Sequence, residues 1–171
     1  MNMLRTALTG EYTPIGDVKD ADCVVGQSFG TGFVNEQIAQ YVLENRLDQL
    51  PLILQQEIAD GIFDLGSFAD HVITGDPSTS IGTQLDSWQV LSRAKAYMEQ
   101  HDLEHPILVG QAHQMGRLTL QAIKLGLDPI VPEGLPVTFD PASSQFWTRN
   151  RGAWVLRETI GIPYLRATSK L

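Results

Sequence analysis

Cysteine is almost absent from this chain of 171 residues, because Cys23 is the only one. A single cysteine excludes an intrachain disulfide, and the apolar neighbours in DCVVG indicate a small buried side chain. His71, His101 and His105 have no metal-ligand spacing with Cys23 or with a carboxylate cluster. We therefore predict no metal site.

Positive charge is also scarce, with 12 Lys and Arg against 20 Asp and Glu and a formal net charge of -8. No basic run is present that could neutralise phosphates, so we expect neither a nucleic-acid partner nor an anionic membrane surface. No stretch approaches the roughly 20 apolar residues of a membrane span, and the N-terminal residues lack the apolar core of a signal peptide. These absences predict a cytoplasmic protein. The length predicts one domain over residues 1–171, with its core at about 20–165.

Short apolar runs alternate with longer helical patterns along the chain. The apolar runs predict five strands, at about 21–26, 50–54, 71–75, 106–110 and 128–134. The helical patterns predict helices at about 34–47, 56–69, 83–101 and 114–125. A last helix begins near Ser144 or near Gly152 and is expected to end at Gly161, with Pro163 beyond. The alternation predicts a three-layer, doubly wound Rossmann-like α/β domain with a mainly parallel sheet of about five strands.

In such a sheet, ligands bind at the carboxyl ends of the strands, where several polar segments of this chain meet. GQSFGTG follows the first strand, and its glycines would let the backbone approach a ligand closely. The alternative is a tight strand-to-helix turn with no ligand. At the end of the second strand, LILQQE has Gln55 and Gln56 in place of the usual acidic residue, which argues against an NAD-dependent dehydrogenase. The ligand-binding candidates from this loop and from the hydroxyl-rich segment at 76–88 are Gly26, Gln27, Ser28, Gly30, Asp76, Ser78 and Thr83.

Two pairs of side chains are the candidates for chemistry at this edge. Thr83 and Asp86 have the spacing of a capping box in which Thr83 caps the long helix, and both are positioned to orient a ligand. His113 and Arg117 are four residues apart, so a helix from about residue 112 would place both on one face. His113 would be a general base and Arg117 a clamp for a carboxylate or phosphate, with Asp86 as the second catalytic candidate. The alternative is that His113 bonds to backbone and Arg117 forms a surface ion pair.

Arg149 and Arg151 precede or enter the last helix. If that helix begins near Gly152, two cations precede its N-terminus, which the helix dipole disfavours unless an anion is bound nearby. If it begins near Ser144, both are exposed residues within the helix. The sequence leaves both alternatives open.

The order of these segments resembles the YdcF-like family, a bacterial group of domains of unknown function of the SanA/ElyC type. The resemblance rests on Thr83 and Asp86 in STSIGTQLDSWQVLSRA, on His113, Arg117 and AIKLGL, and on WVLRETIGIPY, and it covers about residues 20–165. It implies a Rossmann-like fold and an adenosine-type ligand such as S-adenosylmethionine.

Two functions from different classes follow. The first is a small-molecule-binding protein or enzyme with an anionic or nucleotide-like ligand at the strand ends. The second is a noncatalytic interaction or scaffold protein with a vestigial crevice, whose helix faces pack into a homodimer. Exposed aromatic side chains near Phe146, Trp147 and Trp154 would favour the second function.

Overall fold

Four short parallel strands form the sheet in the part of the chain that the structure describes. The structure is a computed structural model, and it describes residues 3–30, 32–60, 69–75 and 85–171. The strands are β1 Cys23–Gly26, β2 Leu52–Gln55, β3 His71–Ile73 and β4 Pro106–Val109. The α-helices are α1 Met3–Thr9, α2 Phe33–Glu44, α3 Gln56–Ala59, α4 Ser87–Gln100, α5 Met115–Lys124 and α6 Arg151–Ala167. Short 3₁₀ turns lie at Val18–Asp20, Leu47–Gln49, Ala112–Gln114 and Phe146–Thr148.

The strand order is β3-β2-β1-β4, and every pair is parallel. Val24 of β1 pairs with Leu52 on one side and with Ile107 on the other. All residues of β1, β2 and β4 are buried, as expected for strands covered on both faces. The fold is α/β and Rossmann-like, which confirms the predicted fold class. The carboxyl ends of β1, β2 and β4 lie at one edge, which determines where a ligand site can form.

The predicted fifth strand, at 128–134, is not a strand of this sheet. Ile130 forms a single parallel bridge with Ile107, and Val131 forms a single antiparallel bridge with Ile15. Pro129 and Pro132 flank this pair and have no backbone N–H to donate, so a continuous ladder cannot extend in either direction. The sheet of the described residues therefore has four strands.

Two predictions about helices were wrong in detail, the start of the long helix and the end of the last helix. The long helix α4 begins at Ser87, and its N-cap is Asp86, which forms a capping box with Gln89. A cap at Thr83 is thus not the start of this helix. The last helix begins at Arg151 and continues through Gly161 and Pro163 to Ala167. Its buried residues Trp154, Glu158 and Ile162 follow one stripe, and this burial outweighs the one hydrogen bond that a proline removes.

Helix α1 was not predicted at all. It packs against α5, α6 and the turn at 112–114, and it buries Thr6 and Ala7. Its seven residues are too few for a clear apolar periodicity, so the sequence carried little signal for it.

Candidate functional site

A cavity of about 190 Å³ opens where β1 and β4 end. We name it the Arg157 cavity, after the cation that lines its rim. Its lining residues come from the loop after β1, the start of α4, the start of α5, the segment 145–148 and one face of α6. They are Gln27, Ser28, Phe29, Gly30, Leu85, Asp86, Ser87, Gln114, Arg117, Gln145, Trp147, Thr148, Trp154 and Arg157.

The loop after β1 is held in place by two amide side chains. Gln55, at the end of β2, accepts hydrogen bonds from Ser28 N at 3.0 Å and from Gln27 Nε2 at 2.8 Å. Asn35 Oδ1 accepts from Phe29 N at 2.9 Å, and Asn35 Nδ2 donates to Gly30 O at 3.2 Å. The glutamine in the place of the usual acidic residue therefore fixes the cavity wall.

Gly30 and Gly26 have different roles. Gly30 is needed for its backbone conformation at the cavity, whereas Gly26 allows close packing inside the sheet. Gly30 has φ +72°, and a Cβ there would lie 2.5 Å from Thr148 Oγ1. This backbone conformation and close approach favour glycine. Gly26 does not line the cavity: a Cβ there would lie 2.7 Å from Leu54 Cδ2. Of the four ligand-binding candidates in this loop, the structure brings Gln27, Ser28 and Gly30 to the cavity.

A cluster of two arginines and one buried glutamate lies at one wall of the cavity. Arg117 is only 6% exposed, and its Nε lies 3.3 Å from Oε2 of the buried Glu158. Arg157 Nη1 pairs with the other carboxylate oxygen of Glu158. Arg117 Nη1 also donates to the hydroxyl of Ser87. Two guanidinium groups thus share one carboxylate, which leaves one positive charge beside the cavity.

Some hydrogen-bond donors in this wall are unsatisfied. The Arg117 Nε atom approaches Glu158 in a direction that does not make a hydrogen bond, so in the described chain it has no hydrogen-bond partner. The same is true of the buried indole Nε1 of Trp154. Unpaired buried donors cost free energy, and these two atoms have almost no surface that opens into the cavity.

The carboxylate of Asp86 has a hydrogen-bond donor and a cation as partners. One carboxylate oxygen accepts from Gln89 N at 2.8 Å as the cap of α4, and the other lies 3.0 Å from Lys170 Nζ. Asp86 also attracts Arg157, but together with Lys170 the three cations face only two carboxylates, Asp86 and Glu158, so one positive charge remains in excess. The other candidates from this segment, Asp76, Ser78 and Thr83, lie outside the described residues.

Two indole rings flank the Arg157 guanidinium. Its Cζ lies 4.9 Å from the ring centroid of Trp154 and 5.9 Å from that of Trp147. Burial and the charge of Arg117 lower the pKa of Arg157, whereas the charges of Glu158 and Asp86 raise it. Arginine nevertheless stays cationic at neutral pH, so the rim of the cavity keeps its positive charge.

His113 lies outside the cavity. Its ring is packed against Gly10 and meets the edge of the Phe139 ring at a centroid distance of 4.8 Å. Gln111 Nε2 lies 2.9 Å from His113 Nδ1, and since an amide nitrogen only donates, Nδ1 is the acceptor. Burial, followed by the charge of Arg151, lowers the pKa of His113 to about 4. The ring is therefore neutral at pH 7.

The spacing of His113 and Arg117 predicted that both lie on one face of a helix, and this prediction was wrong. Ala112–Gln114 form a 3₁₀ turn, and α5 begins only at Met115. The pitch of a 3₁₀ turn differs from that of an α-helix, so the i, i+4 relation does not hold across the junction. Arg117 reaches toward α4 and α6, while His113 lies against Gly10, just after α1.

The role of Arg149 and Arg151 is clearer in the structure than in the sequence. Asn150 is the N-cap of α6, and its side chain accepts from Ala153 N. Arg149 Nε donates to Ser143 O at 2.7 Å, and Arg151 Nε donates to Leu8 O. Both side chains therefore hold backbone carbonyls, and neither lines the cavity.

Sequence reasoning missed Arg157, Glu158 and the two tryptophans as site residues. A carboxylate within the apolar pattern of a helix was the available signal, because Glu158 falls on the stripe that includes Trp154 and Ile162. Such a residue is buried only when it is paired, which points to a cation nearby.

The described residues contain no group of three or more His, Cys, Asp or Glu that could hold a metal ion. Among the helices in the described ranges, none has the length and apolar character needed to cross a membrane. No protein-family model, curated protein or solved structure matches the chain. The resemblance to the YdcF-like family therefore stays a prediction.

Proposed function

We propose that the protein binds a small molecule carrying a carboxylate or phosphate, with its anionic group in the Arg157 cavity. The observation that carries this proposal is the sharing of one carboxylate, Glu158, between Arg117 and Arg157. A partly buried cation without a full counter-charge is unfavourable, and an anion in the cavity would supply that charge. Guanidinium groups also bind carboxylates and phosphates through paired hydrogen bonds.

The surrounding groups support the same ligand chemistry. The side chain of Arg157 is 36% exposed, so an anionic oxygen that enters the cavity can reach a guanidinium group. The cavity of about 190 Å³ is smaller than the roughly 300–1,000 Å³ of sites that enclose drug-sized ligands. A nucleotide-like ligand, including S-adenosylmethionine, would place only one end in the cavity.

The proposal is for binding, and we assign no reaction. Among the cavity-lining residues that the structure describes, Asp86 is the only carboxylate, and its oxygens are engaged by Gln89 and Lys170. His113, the other catalytic candidate, faces Gly10 and Phe139.

A thermal-shift and calorimetric screen tests this function. The panel contains inorganic phosphate, glycerol 3-phosphate, AMP, S-adenosylmethionine and short carboxylates at low ionic strength. A ligand at 100 times its Kd stabilises the fold by about 2.7 kcal/mol. Arg157→Gln should abolish this effect, whereas Arg166→Gln, an exposed residue outside the cavity lining on the same helix, should retain it. The absence of any shift across the panel would overturn the proposal.

One observation supports the interaction or scaffold function as a second candidate. Phe146 and Trp147 are 60% and 41% exposed, and exposed aromatic side chains mark partner surfaces. Trp154, the third aromatic residue of that prediction, is buried. Sedimentation velocity over a hundredfold concentration range tests for a homodimer. A constant monomer mass over that range would contradict the predicted homodimer.

A further inference from the structure

A second concavity, of about 440 Å³, adjoins the Arg157 cavity on the surface of α6. We name it the apolar groove. Its walls include Phe146, Trp147, Leu156, Arg157, Ile160 and Tyr164. Leu156, Ile160 and Tyr164 recur every four residues, so they form one stripe along the helix. Ile160 is 67% exposed, which is unusual for a side chain of this size and polarity.

The groove and the cavity are neighbours. Trp147 and Arg157 line both of them, so the side chain of Arg157 lies between the polar cavity and the apolar groove. From Arg157 to Tyr164 the groove follows seven steps of α6, a length of roughly 10 Å. One elongated molecule can therefore place a charged end at Arg157 and an apolar chain along the stripe.

We propose that the ligand is a single-chain amphipathic anion: a carboxylate or phosphate on an unbranched hydrocarbon chain. The head group lies in the Arg157 cavity, and the chain covers Leu156, Ile160 and Tyr164. This inference rests on the proposed function, because the cavity must bind the anionic end. It adds the chemical class of the remainder of the ligand.

Charge argues for this occupant over a second copy of the chain. Arg157 lies near the middle of the groove, between Ala153 and Tyr164, so a two-fold packing of α6 on α6 along the stripe would bring the two Arg157 side chains close to the symmetry axis. Like charges facing each other disfavour such a pair. An anion at one end of an apolar chain instead complements both Arg157 and the stripe.

Titration calorimetry on the full chain tests this inference with hexanoate, octanoate, decanoate and dodecanoate as monomers. Burial of each added methylene should tighten binding by about two- to fourfold. Decan-1-ol, the uncharged match of decanoate, should bind at least tenfold more weakly, because it leaves the charge at Arg157 without a partner.

Two matched variants separate the chain from the head group. Ile160→Ser should weaken decanoate binding by about tenfold and leave glycerol 3-phosphate binding unchanged. Ile123→Ser, at an isoleucine on α5 that is 53% exposed and outside the groove, should change neither. Both positions are exposed, so both variants should fold. The chain-length series uses the unmodified protein, so it tests the inference even if a variant fails to fold.

The outcomes distinguish this inference from the proposed function. If short anions bind through Arg157 but affinity does not rise with chain length, the inference is overturned and the proposed function stands. Equal binding of decan-1-ol and decanoate would also overturn the inference, because the head group would not be recognised. If no anion of either length binds, both proposals fall. The protein could instead be a homodimer that Ile160→Ser dissociates and that decanoate leaves intact. This result would assign the groove to a second copy and overturn the inference.

Discussion

Acidification should destabilise the fold through His113. In the folded chain the pKa of this imidazole is lowered to about 4, mainly by burial and further by the charge of Arg151. In the unfolded chain it returns to about 6.5. Between these values the unfolded state binds the proton and the folded state does not, so stability rises with pH. The stabilisation is complete above about pH 6.5 and decreases as the pH falls toward 4. At about 1.4 kcal/mol for each pKa unit, the loss amounts to about 3 kcal/mol.

Urea unfolding of the wild type and of His113→Gln at pH 7, 6, 5 and 4 measures this loss. Glutamine keeps an acceptor for Gln111 and does not titrate, so other ionisable groups cancel in the difference between the two proteins. The free energy of unfolding of the wild type should fall by about 3 kcal/mol relative to the variant over this range. Parallel pH profiles would refute the account of a buried, neutral imidazole.

Two further predictions concern the walls of the cavity. Glu158→Gln should lower the free energy of unfolding by about 3–5 kcal/mol, because it leaves Arg117 and Arg157 without their shared carboxylate. Gly30→Ala should destabilise by about 1–3 kcal/mol, because its φ is +72° and the added Cβ would meet Thr148. Chemical denaturation measures both effects.

Matched substitutions serve as controls for these two. Glu99→Gln removes a carboxylate from an exposed i, i+4 pair with Lys95 and should change stability by less than about 0.5 kcal/mol. Gly161→Ala adds a Cβ within helix α6, where it meets nothing within 4 Å, and should stabilise by up to about 1 kcal/mol. A loss for Glu99→Gln as large as that for Glu158→Gln would contradict the role of the buried cluster.

The central strands were predictable because they are built on continuous apolar runs, as expected for strands buried on both faces. β2 is apolar up to Gln55, and Pro106–Val109 is apolar throughout. The loop after β1 was predictable as a cavity wall for a related reason, since the topology fixes which strand ends meet. The run at 128–134 misled because Ile130 and Val131 are strongly apolar, whereas the prolines on either side of them interrupt strand pairing.

The buried charge cluster could not be located from spacing. Arg117 and Glu158 are 41 positions apart and meet because α5 and α6 both pack against α1, a tertiary relation that no local pattern encodes. The orientation of His113 depended on one 3₁₀ turn, whose extent sequence patterns do not resolve. The end of α6 was missed because burial of one face overrode the local preference of Pro163.

The claim that an anion occupies the Arg157 cavity is tested most directly by the three indole N–H signals in a ¹⁵N-labelled sample. Trp147 and Trp154 line the cavity, whereas Trp88 of α4 does not. Titration with decanoate or glycerol 3-phosphate should shift the signals of Trp147 and Trp154 to saturation and leave that of Trp88 unchanged. In Arg157→Gln these shifts should disappear. Equal shifts of all three signals, or shifts that persist without Arg157, would contradict the account.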